Sequence, residues 1–472
     1  MHSAEGPVIV AIDQGTSSTK VIVVDASGAV VAQSSAALGQ SHPQPGWVEQ
    51  DANELYQSVL DALSGVSLEN VAAIGISSQR ESAVIWSRST GEPLGPVLGW
   101  QDRRTIGRAT ELTDRAGLVR ELSGLPLDPM FSALKFEWLL NTVELTDDVA
   151  IGTVDSWLVF KLTGEHRVEV GNASRTQLLN IETGDWDDTL LDLFRIPRSA
   201  LPTIVASDTP SLPVSAIGGA LGGARIHAVL GDSHAALYGH GARAAGQVKV
   251  TYGTGSSVMG IGDGVGTGLV RTIAWSRGSV VRAFEGNILS TGATLVWLAG
   301  LLDTTPTELF ALAETANPDH GISFVPAFAG LGAPWWDDTA HAVVTGFDLG
   351  SSRADLARAA AESIAFQVDD VLSAADAQTG ARIATIYADG GPSANEWLMQ
   401  VQADVSGRRV IRSTVPELSA YGAALFAGVG VGFWTDESSA SLGGDSVAIE
   451  PQTPITHDNW NAAVAKSRGA IQ

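Results

Sequence analysis

Three short stretches carry residue types that can handle a phosphate. The first is Asp13-Gln14-Gly15-Thr16-Ser17-Ser18-Thr19-Lys20, a break of glycine and hydroxyls between two apolar runs in residues 8–25. Amides and hydroxyls in such a turn donate to phosphate oxygens, and glycine lets the backbone come close. Asp13 ends the first run, a natural place for a carboxylate that holds hydrated Mg2+. Lys20, past the turn, either points its charge at a phosphate or faces solvent. The second stretch is Gly253-Thr254-Gly255-Ser256-Ser257, again set between apolar runs. The third, Asp389-Gly390-Gly391-Pro392-Ser393, ends an apolar run and opens a helix-like one. Ser393 is placed to cap that helix and leave its free amides facing a ligand. None of the three is the Gly-x4-Gly-Lys-Ser/Thr phosphate loop. The two Gly-Thr turns speak for phosphate as a pair more than singly.

A phosphoryl transferase also needs a proton acceptor beside the attacking hydroxyl. Asp232, in the run AVLGDSHAALYGHG, follows a strand-like segment and starts a helix-like one. Free amides and the helix dipole keep a carboxylate there ionised. The residue suits a general base, and it equally suits a plain helix cap. His234 is the poorer candidate base, since a lone histidine is more often structural. Arg80-Glu81 interrupts two apolar runs, and the loop Trp100-Gln101-Asp102-Arg103-Arg104 adds an aromatic, a carboxylate and guanidinium groups. Arginine and carboxylate pairs suit vicinal hydroxyls, and an indole stacks on a carbon skeleton. A structural ion pair is the other reading of Arg80-Glu81, and a core position the other reading of Trp100.

These residues need strands and helices to position them. Residues 8–12, 20–24, 71–77 and 82–86 read as strands from their β-branched content. Residues 53–64 read as an amphipathic helix through Leu55, Val59, Leu60 and Leu63, and 355–375 as a long, mostly buried one. Mixed strands and helices at this length predict α/β architecture. The two Gly-Thr turns lie roughly 240 residues apart, each between strand-like runs, which suggests an internal repeat and two related domains facing each other. The stretches 217–224 and beyond Trp434 read as boundaries, the latter with few core residues at regular spacing.

Composition narrows the partners. The chain has 472 residues, a length that favours two domains. Its net charge of −24 disfavours nucleic acid and anionic membrane surfaces. An acidic protein still binds a nucleotide through local amides and a metal ion. There is no cysteine, so disulfides, Cys-ligated zinc and thiol nucleophiles are excluded. The first residues lack the basic region of a secretory signal. No charge-free run reaches membrane-spanning length, and the nearest, 214–230, is glycine-rich and contains Arg225 and His227. A soluble cytoplasmic protein is the expectation.

With these motifs in view, the chain resembles the FGGY carbohydrate kinases of the actin-like ATPase superfamily. The resemblance runs from about Val8 to Trp434 and rests on DQGTSSTKV, PGWVEQD, SSQRES, GWQDRRT, NASRTQLLNIETGDWDD, GDSHAAL, YGTGSS, VPAFAGLGAPWWD, ESIAFQVDDVL and DGGPSANEWLMQVQAD. It implies two actin-like (ribonuclease H-like) domains, each a mixed sheet flanked by helices, with an active-site cleft between them. The expected divisions are an N-terminal kinase domain, 1–244, a C-terminal ATP-binding domain, 245–436, and a tail, 437–472. The implied reaction passes the γ-phosphoryl of ATP, with Mg2+, to a primary hydroxyl of a sugar or polyol. The resemblance makes Asp232 the general base and Asp13 the carboxylate on the magnesium side, with Asp232 also near the metal. Gly15, Thr16 and Ser17 match the first phosphate loop, Thr254 and Gly255 the second, and Gly391 and Asn395 the adenosine site; Lys20, from its place past the first turn, joins the expected nucleotide-binding residues. Arg80, Glu81, Trp100 and Asp232 match positions that hold glycerol in glycerol kinases. A homodimer or a homotetramer is compatible with the family.

Three positions depart from the glycerol kinase pattern. Met130 stands for a glycerol-binding tyrosine, Ser233 for a glutamine, and Ser257 for an aromatic wall. Fewer hydrogen-bonding partners and more volume predict an acceptor longer than glycerol, a polyol or ketose of four or five carbons such as erythritol, erythrulose, xylulose or ribulose. A glycerol kinase is the first alternative. An actin-like or chaperone-like ATPase and a sugar-binding regulator without turnover are others. The stretch GGALGGARIHAV, with Gly223 and Arg225, resembles a loop that senses fructose 1,6-bisphosphate in some glycerol kinases.

Overall fold

The computed structural model describes residues 6–215, 221–263, 266, 268–415, 417–442 and 446–469. The chain forms two compact units. One comprises Met1–Gly241, Arg271–Arg282 and Val415–Gly443; the other comprises Ala242–Val270, Ala283–Thr414 and Gly444–Gln472.

The first unit is built on a five-stranded sheet in the order Ile226–Gly231, Val71–Ser78, Val8–Gln14, Ser18–Val24, Val30–Ala37. Val8–Gln14 pairs antiparallel with Ser18–Val24 and parallel with Val71–Ser78, which pairs parallel with Ile226–Gly231. Residues Val8 to Ile12 are at most 2% exposed, as the centre of a sheet covered on both faces requires. The helix Ala52–Ser64 covers part of it with Leu55, Val59, Ala62 and Leu63, and Asp51 caps its start by accepting from the Asn53 and Glu54 amides. The register brings Asp13 beside Ser77 and Gly231 beside Ser78, so the parallel strands deliver their C-terminal ends to one edge. Ligands of open α/β sheets bind at such an edge. A second core of the unit gathers the helix Ser132–Leu140 with Val149–Gly152 and neighbouring segments around Leu134, Phe136, Leu139 and Ile151.

The second unit repeats this order. Residues 283–288 of the strand Ser279–Ile288, then Ser256–Ile261, Gln247–Tyr252, Thr385–Asp389 and Arg409–Ser413 are consecutive neighbours in one sheet. Gln247–Tyr252 again pairs antiparallel with the next strand and parallel with one from far later in the chain. Three-residue loops, Gly15-Thr16-Ser17 and Gly253-Thr254-Gly255, join the two hairpins. The expected repeat is therefore present in the topology. The helix Arg353–Thr379 runs through the core of this unit, opened by a Ser352–Asp355 capping box and closed by Gly380 in the left-handed region.

The stretch beyond Trp434 is better packed than its sequence suggests. Ser446–Ile449 pairs with Arg409–Ser413, and the helix Asp458–Ser467 buries Trp460, Ala463 and Val464. The Trp460 ring stacks on Phe366 with centroids 5.3 Å apart. Residues 217–220 of the other expected boundary lie outside the described residues. Among the described residues no helix is long and apolar enough to cross a membrane.

Candidate active site

The edge of the first sheet gathers Asp13, Ser77, Arg80 and Asp232. The Ser77 hydroxyl donates to Asp13 Oδ1 at 2.7 Å. Burial pushes the Asp13 carboxyl up to about 7; the Asp232 charge adds to the rise, while the Ser77 hydroxyl works against it. Asp232 is the first residue of the helix Asp232–Gly239, and Gly231 before it is the cap. This removes the reading of Asp232 as a plain N-cap. Its Oδ1 accepts from Arg80 Nε at 3.1 Å and from the Ser233 amide at 2.5 Å. Oδ2 has no donor among the described residues, and the side chain is 39% exposed. A carboxylate with one oxygen anchored and the other open is a good proton acceptor. Glycine at 231 makes the approach of Arg80 feasible: a Cβ there would stand 2.6 Å from Arg80 Cδ. His234 is fully buried and close to Thr272, which suits a structural residue.

Arg80 and Glu81 do not form the simple neighbouring ion pair that their order suggests. Their closest approach is 3.9 Å, and each has a nearer partner elsewhere. The Ser82 amide donates to the Arg80 carbonyl at 2.8 Å, closing a tight turn with Glu81 at φ 63°. A non-glycine residue at the centre of such a γ-turn is rare and strained. The turn aims the Glu81 carboxylate at Arg175, whose Nε donates to Oε1 at 2.6 Å. The Glu81 carbonyl accepts from Ser132 Oγ at 3.0 Å and Lys135 Nζ at 2.9 Å, and Lys135 also donates to the Met130 carbonyl at 2.6 Å. Arg175, Ser132 and Lys135 are missed by sequence reasoning. For Ser132 and Lys135 the only signal is a polar or charged side chain inside the apolar run FSALKFEWLL, while Arg175 lies in the polar stretch NASRTQ, which does not set it apart.

Trp100 is 38% exposed and is no core residue. Its indole N–H donates to Thr16 Oγ1 at 3.1 Å, which joins the tryptophan loop to the first Gly-Thr turn. The neighbouring Asp102 and Arg104 are buried and bound to each other at 2.8 Å, and the Arg104 guanidinium packs 3.8 Å from the Trp47 ring. The expectation that this carboxylate and arginine meet vicinal hydroxyls is corrected for that pair: both are spent on the core. Arg103 pairs with Asp128 at the surface at 2.7 Å. Lys20 pairs with Glu417 at 2.5 Å, so its charge is neither isolated in solvent nor unopposed. Met130 and Ser233 are both half-buried. Arg225 donates to the Ser211 carbonyl at 2.6 Å and so serves its own loop, while Gly223 sits in the left-handed region at φ 94°.

The second unit holds a pocket of about 660 Å3. Gly253 and Thr254 line it from the Gly-Thr turn, Gly391 and Pro392 from the third glycine turn, and Trp297 and Phe310 supply aromatic wall. Two separate sequence motifs thus meet in one cavity whose size and apolar character suit a nucleoside. Gly255 is needed for close packing, since a Cβ there would stand 2.4 Å from the Ile288 carbonyl. Ser257 donates to Glu285 at 3.1 Å. The helix after the third turn is Glu396–Ser406, and its cap is Asn395, which accepts from the Leu398 amide at 2.8 Å. Ser393 instead bonds the Gly390 carbonyl at 2.7 Å. The cap expected at Ser393 is therefore two residues later, after a short 3-10 turn.

Among the described residues no group of three or more His, Asp or Glu side chains is arranged to hold a metal ion. Mg2+ seldom requires such a cage, for it usually binds one or two carboxylates together with substrate phosphates. The pair Asp13 and Asp232 fits that role: the Asp232 charge raises the cost of ionising Asp13, and a hard cation held by these carboxylates would offset that repulsion.

Comparison with known proteins agrees with these features. The N-terminal domain profile of the FGGY family of carbohydrate kinases matches residues 8–239, and the C-terminal domain profile matches 248–431. The chain is 41% identical to a glycerol kinase of Citrifermentans bemidjiense, over 98% of this chain and 99% of that protein. It is also 41% identical to an apulose kinase of Pectobacterium atrosepticum, over 98% of each. The crystal structure of Plasmodium falciparum glycerol kinase with ADP superposes with a TM-score of 0.93 at 29% identity, covering 100% of both chains. With both domain profiles matched and relatives of this identity along its whole length, the chain belongs to the FGGY family of carbohydrate kinases.

Proposed function

We propose that this kinase transfers the γ-phosphoryl of ATP to a primary hydroxyl of a polyol or ketose with four or five carbons, of the erythritol, erythrulose, xylulose or ribulose type. The observation that carries the reading is the pair of half-buried residues Ser233, next to the partly exposed Asp232, and Met130, whose side chains offer less hydrogen bonding than the glutamine and tyrosine of the glycerol kinase pattern. Ser257 in place of an aromatic adds to it. Relatives named for glycerol and for apulose stand at the same identity, so neither name settles the acceptor. FGGY membership sets aside the actin-like or chaperone-like ATPase.

In this reading residues 1–244 bind the sugar and supply the base, residues 245–436 bind ATP, and 437–472 follow as a tail. Trp100 stacks on the carbon skeleton, while Arg80 and Glu81 take its hydroxyls. The acceptor oxygen bonds to the γ-phosphorus as the bond to the ADP oxygen breaks, and its proton passes to Asp232 Oδ2. Arg80 and the Ser233 amide keep Oδ1 fixed, so the open oxygen meets the hydroxyl without reorganising. Gly15, Thr16, Ser17 and Lys20 on one loop, and Thr254 and Gly255 on the other, hold the phosphates. Gly391 and Asn395 border the adenosine. Asp13 and Asp232 would hold Mg2+, which would supply charge neutralisation on the nucleotide.

The test is a panel of acceptors with ATP: glycerol, erythritol, erythrulose, xylulose and ribulose, each ranked by kcat/KM. A four- or five-carbon compound is expected to lead. Glycerol at the top of the ranking would overturn the reading in favour of a glycerol kinase.

A further inference from the structure

Lys135 has no part in the reaction as described, yet it is placed as though it did. It lies on the buried helix Ser132–Leu140, is 0% exposed, and spends its ammonium on two backbone carbonyls, those of Glu81 and Met130. One belongs to the strained turn at Glu81; the other belongs to Met130, just before the helix itself. Ser132, one helical turn earlier, donates to the same Glu81 carbonyl. Arg175 meanwhile holds the Glu81 carboxylate. The backbone and the side chain of Glu81 are thus held by separate donors, and a positive φ at a glutamate persists only where its surroundings over-determine it.

We infer that Lys135 is a positioning residue for the acceptor site: by tying the Glu81 carbonyl to the Met130 carbonyl it sets the Glu81 turn and the spacing between two loops that line the sugar. The inference rests on the proposed sugar-binding role of Glu81 and residue 130, and on no particular sugar. Cheaper fillers exist for such a place. Burial pushes the Lys135 ammonium down to about 7, with the Glu81 carboxylate pulling the other way, so the buried amine carries a cost that methionine or leucine would avoid. The other charges that bear on it are Asp102, Asp128 and Arg103. A volume-matched apolar side chain would fill the space and could not bridge the two carbonyls.

The test compares Lys135→Met, which keeps the length and removes every donor, with Ser132→Ala, which removes only the companion bond. Steady-state kinetics use the best acceptor from the panel, whichever it is, so a wrong sugar assignment and a wrong role for Lys135 are told apart. Lys135→Met is expected to raise the acceptor KM about 10- to 100-fold, the range set by releasing one strained backbone position. Its kcat should stay within about threefold and its ATP KM within about twofold. Ser132→Ala should raise the acceptor KM about 2- to 10-fold and serves as the readout if Lys135→Met does not fold. An acceptor KM within twofold of wild type in a folded Lys135→Met protein would overturn the inference. So would acceptor and ATP KM values rising together, which is the mark of a general structural role. If Lys135→Met fails to fold, an unchanged acceptor KM in Ser132→Ala overturns it.

Discussion

Replacing Trp100 with phenylalanine keeps an aromatic ring where the proposed function stacks one on the sugar and removes one N–H. That N–H donates to Thr16 Oγ1 at 3.1 Å. A threonine hydroxyl has a single hydrogen, and an indole can only donate. With its oxygen already accepting from Trp100, the Thr16 hydroxyl has its hydrogen to give to a phosphate oxygen. Under the proposed function, the loop assigned to the sugar thereby orients a donor of the loop assigned to the phosphates. A neutral hydrogen bond between partly exposed groups contributes about 0.5–1.5 kcal/mol, and Trp100 is 38% exposed, which argues for the lower half of that range. Trp100→Phe should therefore lower kcat/KM for the acceptor about two- to fivefold. Thr16→Val removes the same bond and the phosphate donor as well, so it should cost about 10-fold or more. The assay is a double-mutant cycle on kcat/KM at saturating ATP. Once Thr16 is valine, Trp100→Phe has no hydrogen bond left to remove, and its effect should shrink to nearly nothing. Multiplicative effects, within about 0.3 kcal/mol, would show that the two loops act independently and refute the reasoning.

Three further outcomes follow from the geometry. Asp232→Asn should lower kcat at least about 10^3-fold, while calorimetric titration finds ATP affinity within about threefold of wild type; near-normal turnover would remove Asp232 as the base. Gly255→Ala must relieve a contact of 2.4 Å with the Ile288 carbonyl. It should raise the ATP KM about 10-fold or more with a smaller effect on the acceptor KM, and an unchanged ATP KM would separate this turn from the nucleotide. Burial pushes the Asp370 carboxyl up to about 7, with the Asp369 charge adding, while it accepts from the Trp460 indole at 2.9 Å. Because the folded value lies above the ordinary 3.8, stability is lost as pH rises from about 4 to about 7. Asp370→Asn keeps an acceptor for Trp460 and should be more stable than wild type by about 1–3 kcal/mol at pH 8, with the gap closing toward pH 4. Thermal unfolding at both pH values checks this; a gap that does not widen with pH counts against it.

Much of the site was legible along the chain because its chemistry sits at local landmarks. Asp13 ends a strand, Gly15-Thr16-Ser17 is a hairpin loop, and Asp232 begins a helix; each landmark is written in a few consecutive residues. The doubled Gly-Thr turn likewise announced the doubled sheet order. Other parts depended on which distant residue arrives. Lys20 meets Glu417 across 397 positions, and Glu81 meets Arg175 across 94. The charges in Trp100-Gln101-Asp102-Arg103-Arg104 look alike in sequence, yet Asp102 and Arg104 are buried while Arg103 lies at the surface.

The sequence by itself therefore determined the repeat, the turns that suit phosphate, and the carboxylates at strand and helix ends. Short-range backbone preference and local chemistry suffice for those. Only the tertiary structure decided which charges are consumed by the core, that Glu81 is held in a strained turn, and that Lys135 ties two loops together. Those outcomes depend on burial and on partners from remote segments, and neither is encoded in the spacing of neighbouring residues.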